Sequence, residues 1–148
     1  MLNTPADRPE DKKKLISWCL YDWANSAFPT VITTFVFAAY FAKGVASDEV
    51  TGTSQWGYAL SLSGFAIAIA GPVFGAIADQ SGRRKPWIIV FTLLSAIACL
   101  SLWWIKPDVA FVIWALVAVA LANFAFEMGM VFYNAMLPGL TGAGRIAL

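Results

Sequence analysis

The sequence predicts an all-α membrane protein with four transmembrane helices, and three observations lead there. Of the 148 residues, 59% are hydrophobic and only 13% charged, far more apolar than a soluble chain. The apolar residues are gathered into four long runs, with most of the charge in the short segments around them. Each run is long enough to cross a bilayer, because about 20 residues rising about 1.5 Å each cover the hydrocarbon core. The lipid bilayer is therefore the first expected partner. A net charge of +1 without a basic face argues against nucleic acid. The chain has no histidine, and Cys19 and Cys99 both fall inside apolar runs, so no metal site, disulfide framework or cofactor is expected.

Residues 1–14 are polar, proline-bearing and charged in both signs, which predicts a disordered cytoplasmic tail ahead of a membrane domain over 15–148. The first apolar run is about twice as long as the core of a signal peptide, and Asp22 and Asn25 interrupt it, so an uncleaved span over 15–42 is expected. Asn25, Ser26, Pro29 and Thr33 follow Asp22 along one helical face, opposite Leu20, Val31, Ile32 and Phe35. A charge at the bilayer centre costs roughly 2.5–3.5 kcal/mol on insertion scales, so this stripe is expected to line a protein interior or a watery cavity. The span is over-long for a perpendicular crossing. Pro29, which cannot donate to the carbonyl of Asn25, should bend it. A loop over 43–53 follows, with Gly44 and Gly52 as its turn signals.

In the second span, 54–78, the small residues Gly57, Ser61, Gly64, Ala68, Gly71 and Gly75 recur alternately four and three apart. Such a ridge lets another helix approach closely. The third span, 87–105, carries no ionisable residue and has Trp87 at one end and Trp103 and Trp104 at the other, as in a lipid-facing helix with aromatic belts. It is expected to be the outermost of the four. The fourth, 109–137, repeats the design of the first: Asn123, Glu127 and Asn134 form a polar stripe, and Pro138 and Gly139 close the helix. Residues 146–148 read as the start of a fifth span, and the chain as the front piece of a longer protein.

Arg8, Lys12, Lys13, Lys14, Arg83, Arg84, Lys85 and Arg145 lie on the side of the N-terminus, against Lys43 and Lys106 on the other. That asymmetry predicts a cytoplasmic N-terminus. At about 1.5 Å per residue, Asp22 then lies about 10 Å and Glu127 about 15 Å from the cytoplasmic ends of their helices, within about one turn of the same depth. Asp22, Asn25, Ser26, Asn123, Glu127 and Asn134 are accordingly expected to line a substrate or proton pathway. Glu127, the deeper carboxyl, is the one expected to exchange a coupling proton, because the neutral form is cheaper there than the anion.

The most specific signal is the loop GAIADQSGRRKP, Gly75 to Pro86. Gly75 permits close packing and Gly82 a left-handed turn, Arg83 and Arg84 suit the cytoplasmic headgroups, and Pro86 suits a first helical turn. Asp79, just past the helix C-terminus, needs an arginine or the N-terminus of another helix as its partner. This segment resembles the signature between the second and third helices of the major facilitator superfamily, with Gln80 where arginine or lysine is usual. YDWANSAF at 21–28 and FEMGMVFYNAMLP at 126–138 resemble the first and fourth helices of bacterial relatives of the autophagy-related vacuolar amino-acid effluxers, a branch of that superfamily. The resemblance implies a twelve-helix transporter of which this chain supplies helices one to four. It also implies a cytoplasmic gating loop at Gly75, Asp79, Gly82, Arg83 and Arg84, and a bacterial plasma-membrane location.

The expected function is secondary active transport of a small polar solute by alternating access. The family branch points to amino acids as cargo, Glu127 points to protons as the coupling ion, and the resemblance implies missing C-terminal helices as partners, so the chain alone should be inactive. The alternative is a stand-alone four-helix scaffold or subunit that self-associates through the ridge of the second span. An enzyme is not expected, since no serine or cysteine sits beside a base and no metal-ligand spacing exists.

Overall fold

The structure, a computed structural model, describes residues 9–81 and 85–134. Gly82, Arg83, Arg84, the side chain of Asp79 and the expectations for residues 135–148 lie outside the described residues. Four helical segments are long and apolar enough to cross a membrane: Cys19–Val45, Glu49–Ile77, Lys85–Trp104 and Val109–Asn134. The chain is an integral, multi-pass α-helical membrane protein.

Helix α1 (Pro9–Asn25) starts ahead of the apolar run. Proline followed by Glu10 and Asp11 suits a helix N-terminus, where φ is preset and the dipole favours acids. The first span then loses its α-helical register where Pro29 predicts a bend. A wide π-helical segment runs over Pro29–Thr34, a short α2 over Val36–Tyr40, and a second π segment over Phe41–Val45.

The predicted loop over 43–53 shrinks to residues 46–48, because the second π segment carries the first span to Val45 and α3 (Glu49–Ser81) starts at once. Asp48 caps α3: its Oδ1 accepts from the Thr51 N–H at 2.9 Å. Hydrogen bonds from the Thr51 side chain and backbone hold its carboxyl below the usual range. Gly52 is a packing residue and not a turn residue. A Cβ built there would stand 2.7 Å from the Ala46 Cβ and 2.9 Å from the Ala42 Cα.

Helix α4 (Lys85–Ser101) ends in a 3-10 turn, Leu102–Trp104. Asp108, whose carboxylate accepts from the Ala110 N–H at 2.8 Å, starts the turn Val109–Phe111 that leads into α5 (Val112–Asn134). Helix α5 is the hub. Ala115, Ala118, Ala122 and Ala125 are 0–6% exposed, and this face of small side chains lets α3 and α4 pack closely against it. One core joins Phe41, Val45, Trp56 and Leu102 to the start of α5; the other joins Phe91, Met128 and Phe132, with Phe74, Trp87 and Phe124 around them.

One expectation is corrected here. The third span is not the outermost of the four: 22% of its membrane window is buried, against 11% for the first and 6% for the second. The reason is aromatic. Trp87, expected in a lipid belt, stacks on Phe132 at 5.8 Å and meets Phe74 edge-on at 5.5 Å, pinning α4 to α5. Trp103 and Trp104 do remain exposed. Among the described residues the ridge of α3 is open: Cβ atoms built at Gly57, Gly64, Gly71 and Gly75 meet no atom within 4 Å.

Candidate functional site

The first and fourth spans run antiparallel in a register set by aromatic and polar pairs. Phe28 stacks on Phe126 with centroids 4.6 Å apart, and Tyr21 packs on Tyr133 at 4.9 Å. Between them the Asn25 Nδ2 donates to the Met130 Sδ at 2.9 Å. This register brings the polar stretch of the first span alongside the polar stretch of the fourth. Extended along the axis, it sets Glu127 opposite residues 27–28, about 8 Å from the level of Asp22 at 1.5 Å per residue. The separation is a turn and a half, wider than the sequence estimate.

The predicted stripe of the first span divides into two. Asn25 and Thr33 are half-buried, whereas Asp22 and Ser26 are exposed. Part of the stripe is occupied locally. The Ser26 hydroxyl donates to the Asp22 carbonyl at 3.0 Å, Thr30 to the Ser26 carbonyl at 3.1 Å, and Thr33 to the Pro29 carbonyl at 2.8 Å. Hydroxyl bonds of this kind to the carbonyl four residues back bend a helix and stabilise its opened turns.

On α5 the stripe divides again. The Asn123 Nδ2 donates to the Ser63 Oγ at 3.1 Å, and Ser63 is only 3% exposed, so this pair ties the fourth span to the second. Glu127 and Asn134 are exposed on the outer face of α5. Among the described residues neither Asp22 nor Glu127 enters an ion pair. Gly75 lies on the open side of α3, and Asp79 in its last turns.

A cavity of about 380 Å³ lies between the first, third and fourth spans. Tyr21, Asn25 and Phe28 line one wall, Thr92, Ser95 and Cys99 a second, and Ala125 and Gly129 the third. Neither carboxylate reaches it. Its polar groups are neutral and already engaged: the Tyr21 and Thr92 hydroxyls lie 3.0 Å apart, and the Ser95 hydroxyl donates to the Ala122 carbonyl at 3.3 Å. As it stands, the cavity suits an apolar or neutral group and offers no counter-charge to a zwitterion. Sequence reasoning missed the wall on α4. A usable signal existed, since Thr92, Ser95 and Cys99 at i, i+3 and i+7 share one helical face of an otherwise aliphatic run.

Four apolar spans around a small-residue hub, with carboxylates on two of them, define a polytopic α-helical membrane protein. The profile of the family described as vacuole effluxer Atg22 like matches residues 42–146, and the chain belongs to that family. It is 33% identical over 137 residues to the uncharacterized MFS-type transporter YxiO of Bacillus subtilis (strain 168), covering 89% of this chain and 31% of that protein. It is 25% identical over 138 residues to an uncharacterized protein of Aquifex aeolicus (strain VF5), covering 92% of this chain and 34% of that one. The chain thus spans about a third of the length of these relatives. No solved structure matches it. The resemblance to the major facilitator superfamily noted in the sequence agrees with these relatives.

Proposed function

We propose that these four spans form the leading part of a secondary active transporter that moves a small polar solute by alternating access, and that further helices are needed for activity. The observation that carries this reading is the placement of Asp22 and Glu127. Both are carboxylates on apolar spans, both are exposed on the four-helix unit, and neither enters an ion pair among the described residues. Facing lipid they would cost several kcal/mol together, at roughly 2.5–3.5 kcal/mol each near the bilayer centre. Covered by the rest of a longer protein, they would face a shared polar path. The family's description as effluxers supports movement of a solute, and the resemblance stated from the sequence suggests an amino acid as cargo.

In this reading Glu127 takes up and releases the coupling proton, while Asp22, Asn25, Ser26 and Asn134 hold cargo or water. Asn123 contributes by fixing α5 against α3. The loop from Gly75 through Asp79, Gly82, Arg83 and Arg84 gates the cytoplasmic face. The N-terminus is cytoplasmic, as the distribution of lysine and arginine supports, and the membrane is the bacterial plasma membrane, as the resemblance to bacterial relatives suggests. No step calls for a catalytic group, so the protein is not an enzyme.

The test is uptake of radiolabelled amino acids by vesicles holding a full-length family member with these four spans, under an imposed pH gradient. Glu127→Gln should abolish gradient-driven accumulation while exchange without a gradient persists. Accumulation equal to the unmodified protein would remove Glu127 from coupling.

A second reading, a four-helix scaffold that self-associates, is favoured by one observation: the open ridge of α3, which is shaped for close helix contact and has no partner among the described residues.

A further inference from the structure

The two halves of the first span are held very differently. Beyond residue 35 the span is anchored. Phe41 and Val45 are 0% exposed, Ala42 and Ala46 pack against Gly52, and the Tyr40 hydroxyl donates to the Ile105 carbonyl at 3.1 Å. Before residue 29 it is held on one side only: Tyr21, Asn25 and Phe28 meet α5, while Ile16, Leu20 and Trp23 are 58%, 56% and 78% exposed, so a rotation must exchange those few contacts. Between the halves lies the π segment Pro29–Thr34, in which the Phe35 N–H reaches back five residues to the Thr30 carbonyl at 3.1 Å. A residue of the second span holds this segment. The Trp56 Nε1 donates to the Thr33 carbonyl at 3.2 Å, and its indole, 8% exposed, packs on Phe37 and Phe41.

We infer that the π segment is a rotary hinge, held open by Pro29 and the Trp56 indole, whose closure to an α turn swings Asp22 into the cavity between the first, third and fourth spans. The geometry fixes the sense of the motion. A π turn holds one more residue than an α turn, so closing it against the anchored half turns every residue before 29 back by one position. The rotation is about 100°, with a shift of about 1.5 Å along the axis. Asp22 then takes the direction now held by Tyr21, beside the Thr92 hydroxyl, and Ser26 takes that of Asn25. Phe28 moves to the exposed direction of Ala27. A cavity that offers only neutral groups in the open-turn state gains a carboxylate in the closed one.

Pro29 stands at the first position of the segment and denies the Asn25 carbonyl its α-helical donor, so the ladder is already interrupted where the wide turn begins. Trp56 adds a donor to a carbonyl within that turn, where the helical ladder is disturbed. Both features bias the hinge toward the state seen here. This device goes beyond the transport reading and is testable without any cargo.

The experiment uses the 148-residue chain in detergent with Cys19 and Cys99 replaced by serine, and single cysteines introduced as Ser26→Cys or Phe28→Cys. Maleimide labelling is compared with and without Trp56→Phe, which keeps a ring but removes the indole donor, and with and without Pro29→Ala, which restores a backbone donor. Closure predicts reciprocal changes: labelling slows at position 26 and quickens at position 28, each by about tenfold for a full shift between states. Pro29→Ala, an exchange that favours helix, serves as the second variant should the loss of the indole disturb packing. Rates that rise together would mean local unfolding, and rates that stay constant in both variants would mean a rigid bend; either result overturns the hinge. Transport by a longer protein could persist in both cases, so failure here leaves the transport reading standing.

Discussion

Two faces of small residues run along this protein, one on α5 and one on α3, and only one is in use. On α5, Ala115, Ala118, Ala122 and Ala125 lie at the centre of the fold, with α4 and α3 packed onto them. On α3, Gly57, Gly64, Gly71 and Gly75 open onto empty space. In sequence the second pattern is the more regular and the richer in glycine. A small-residue pattern states that a neighbour can come close; it does not state which neighbour, or whether that neighbour belongs to the same four helices. The difference is supplied by the large residues opposite. Phe91 and Trp87 on α4 and Trp56 on α3 give the alanine face something to receive, and no side chain among the described residues does so for the ridge.

Filling the occupied face should have the largest effect. Ala122 is 0% exposed, and its carbonyl accepts from Ser95 at 3.3 Å. Ala122→Leu adds three carbons where α4 and α5 touch, and overpacking of a close-packed interior costs about 1–3 kcal/mol or more, here at the upper end. The expected outcome is a clear fall in the thermal midpoint of the chain in detergent. An unchanged midpoint would show that the alanine face is not the close contact described.

A smaller effect is expected at the hairpin that joins the first two spans. The Cβ in Gly52→Ala would fall 2.7 Å from the Ala46 Cβ and 2.9 Å from the Ala42 Cα. Neither neighbour is the free end of a long side chain, so backbone must move. A cost of about 1–2 kcal/mol follows from one methyl forced into such a contact, less the modest helix-forming gain of alanine. The loss should appear as a lowered midpoint, and a raised one would break the idea that Gly52 is there to let the spans meet.

How much of this was legible beforehand depends on whether a feature is local. The four spans follow from composition and run length. The break in the first follows from Pro29, since proline removes a donor wherever it stands. That the break takes the form of a π turn was not legible, because it depends on the Ser26, Thr30 and Thr33 hydroxyls and on Trp56, which is remote in the chain. Trp87 was misplaced for a similar reason: a tryptophan at the end of an apolar run looks the same whether it meets headgroups or Phe132. The polar residues were found, but their partners were not. Asn123 is engaged by Ser63, a hydroxyl that blends into the second span, and the cavity wall of Thr92, Ser95 and Cys99 was hidden by its aliphatic neighbours. Asp22 and Glu127 were recognised as costly on apolar spans, and among the described residues neither has an ion-pair partner.

The smallest effect is expected on the open ridge, and it sharpens the comparison most. Gly64 is exposed midway along α3, and a Cβ there meets no atom within 4 Å. In the isolated chain, Gly64→Leu should leave stability within about 0.5 kcal/mol of the unmodified protein, since a surface change away from packed features seldom does more, and removing a mid-helix glycine offsets any loss. The consequences diverge once the ridge has a partner. If the chain is a scaffold, the 148-residue protein should be a dimer or larger in mild detergent by sedimentation, and Gly64→Leu should return it to monomer. If the ridge instead receives helices of a longer transporter, the short chain should be monomeric with or without the substitution, while the same change in a full-length family member should lower its thermal midpoint much as Ala122→Leu does here. A loss of stability in the isolated monomer would contradict both, because it would mean that the ridge is already occupied within the four helices.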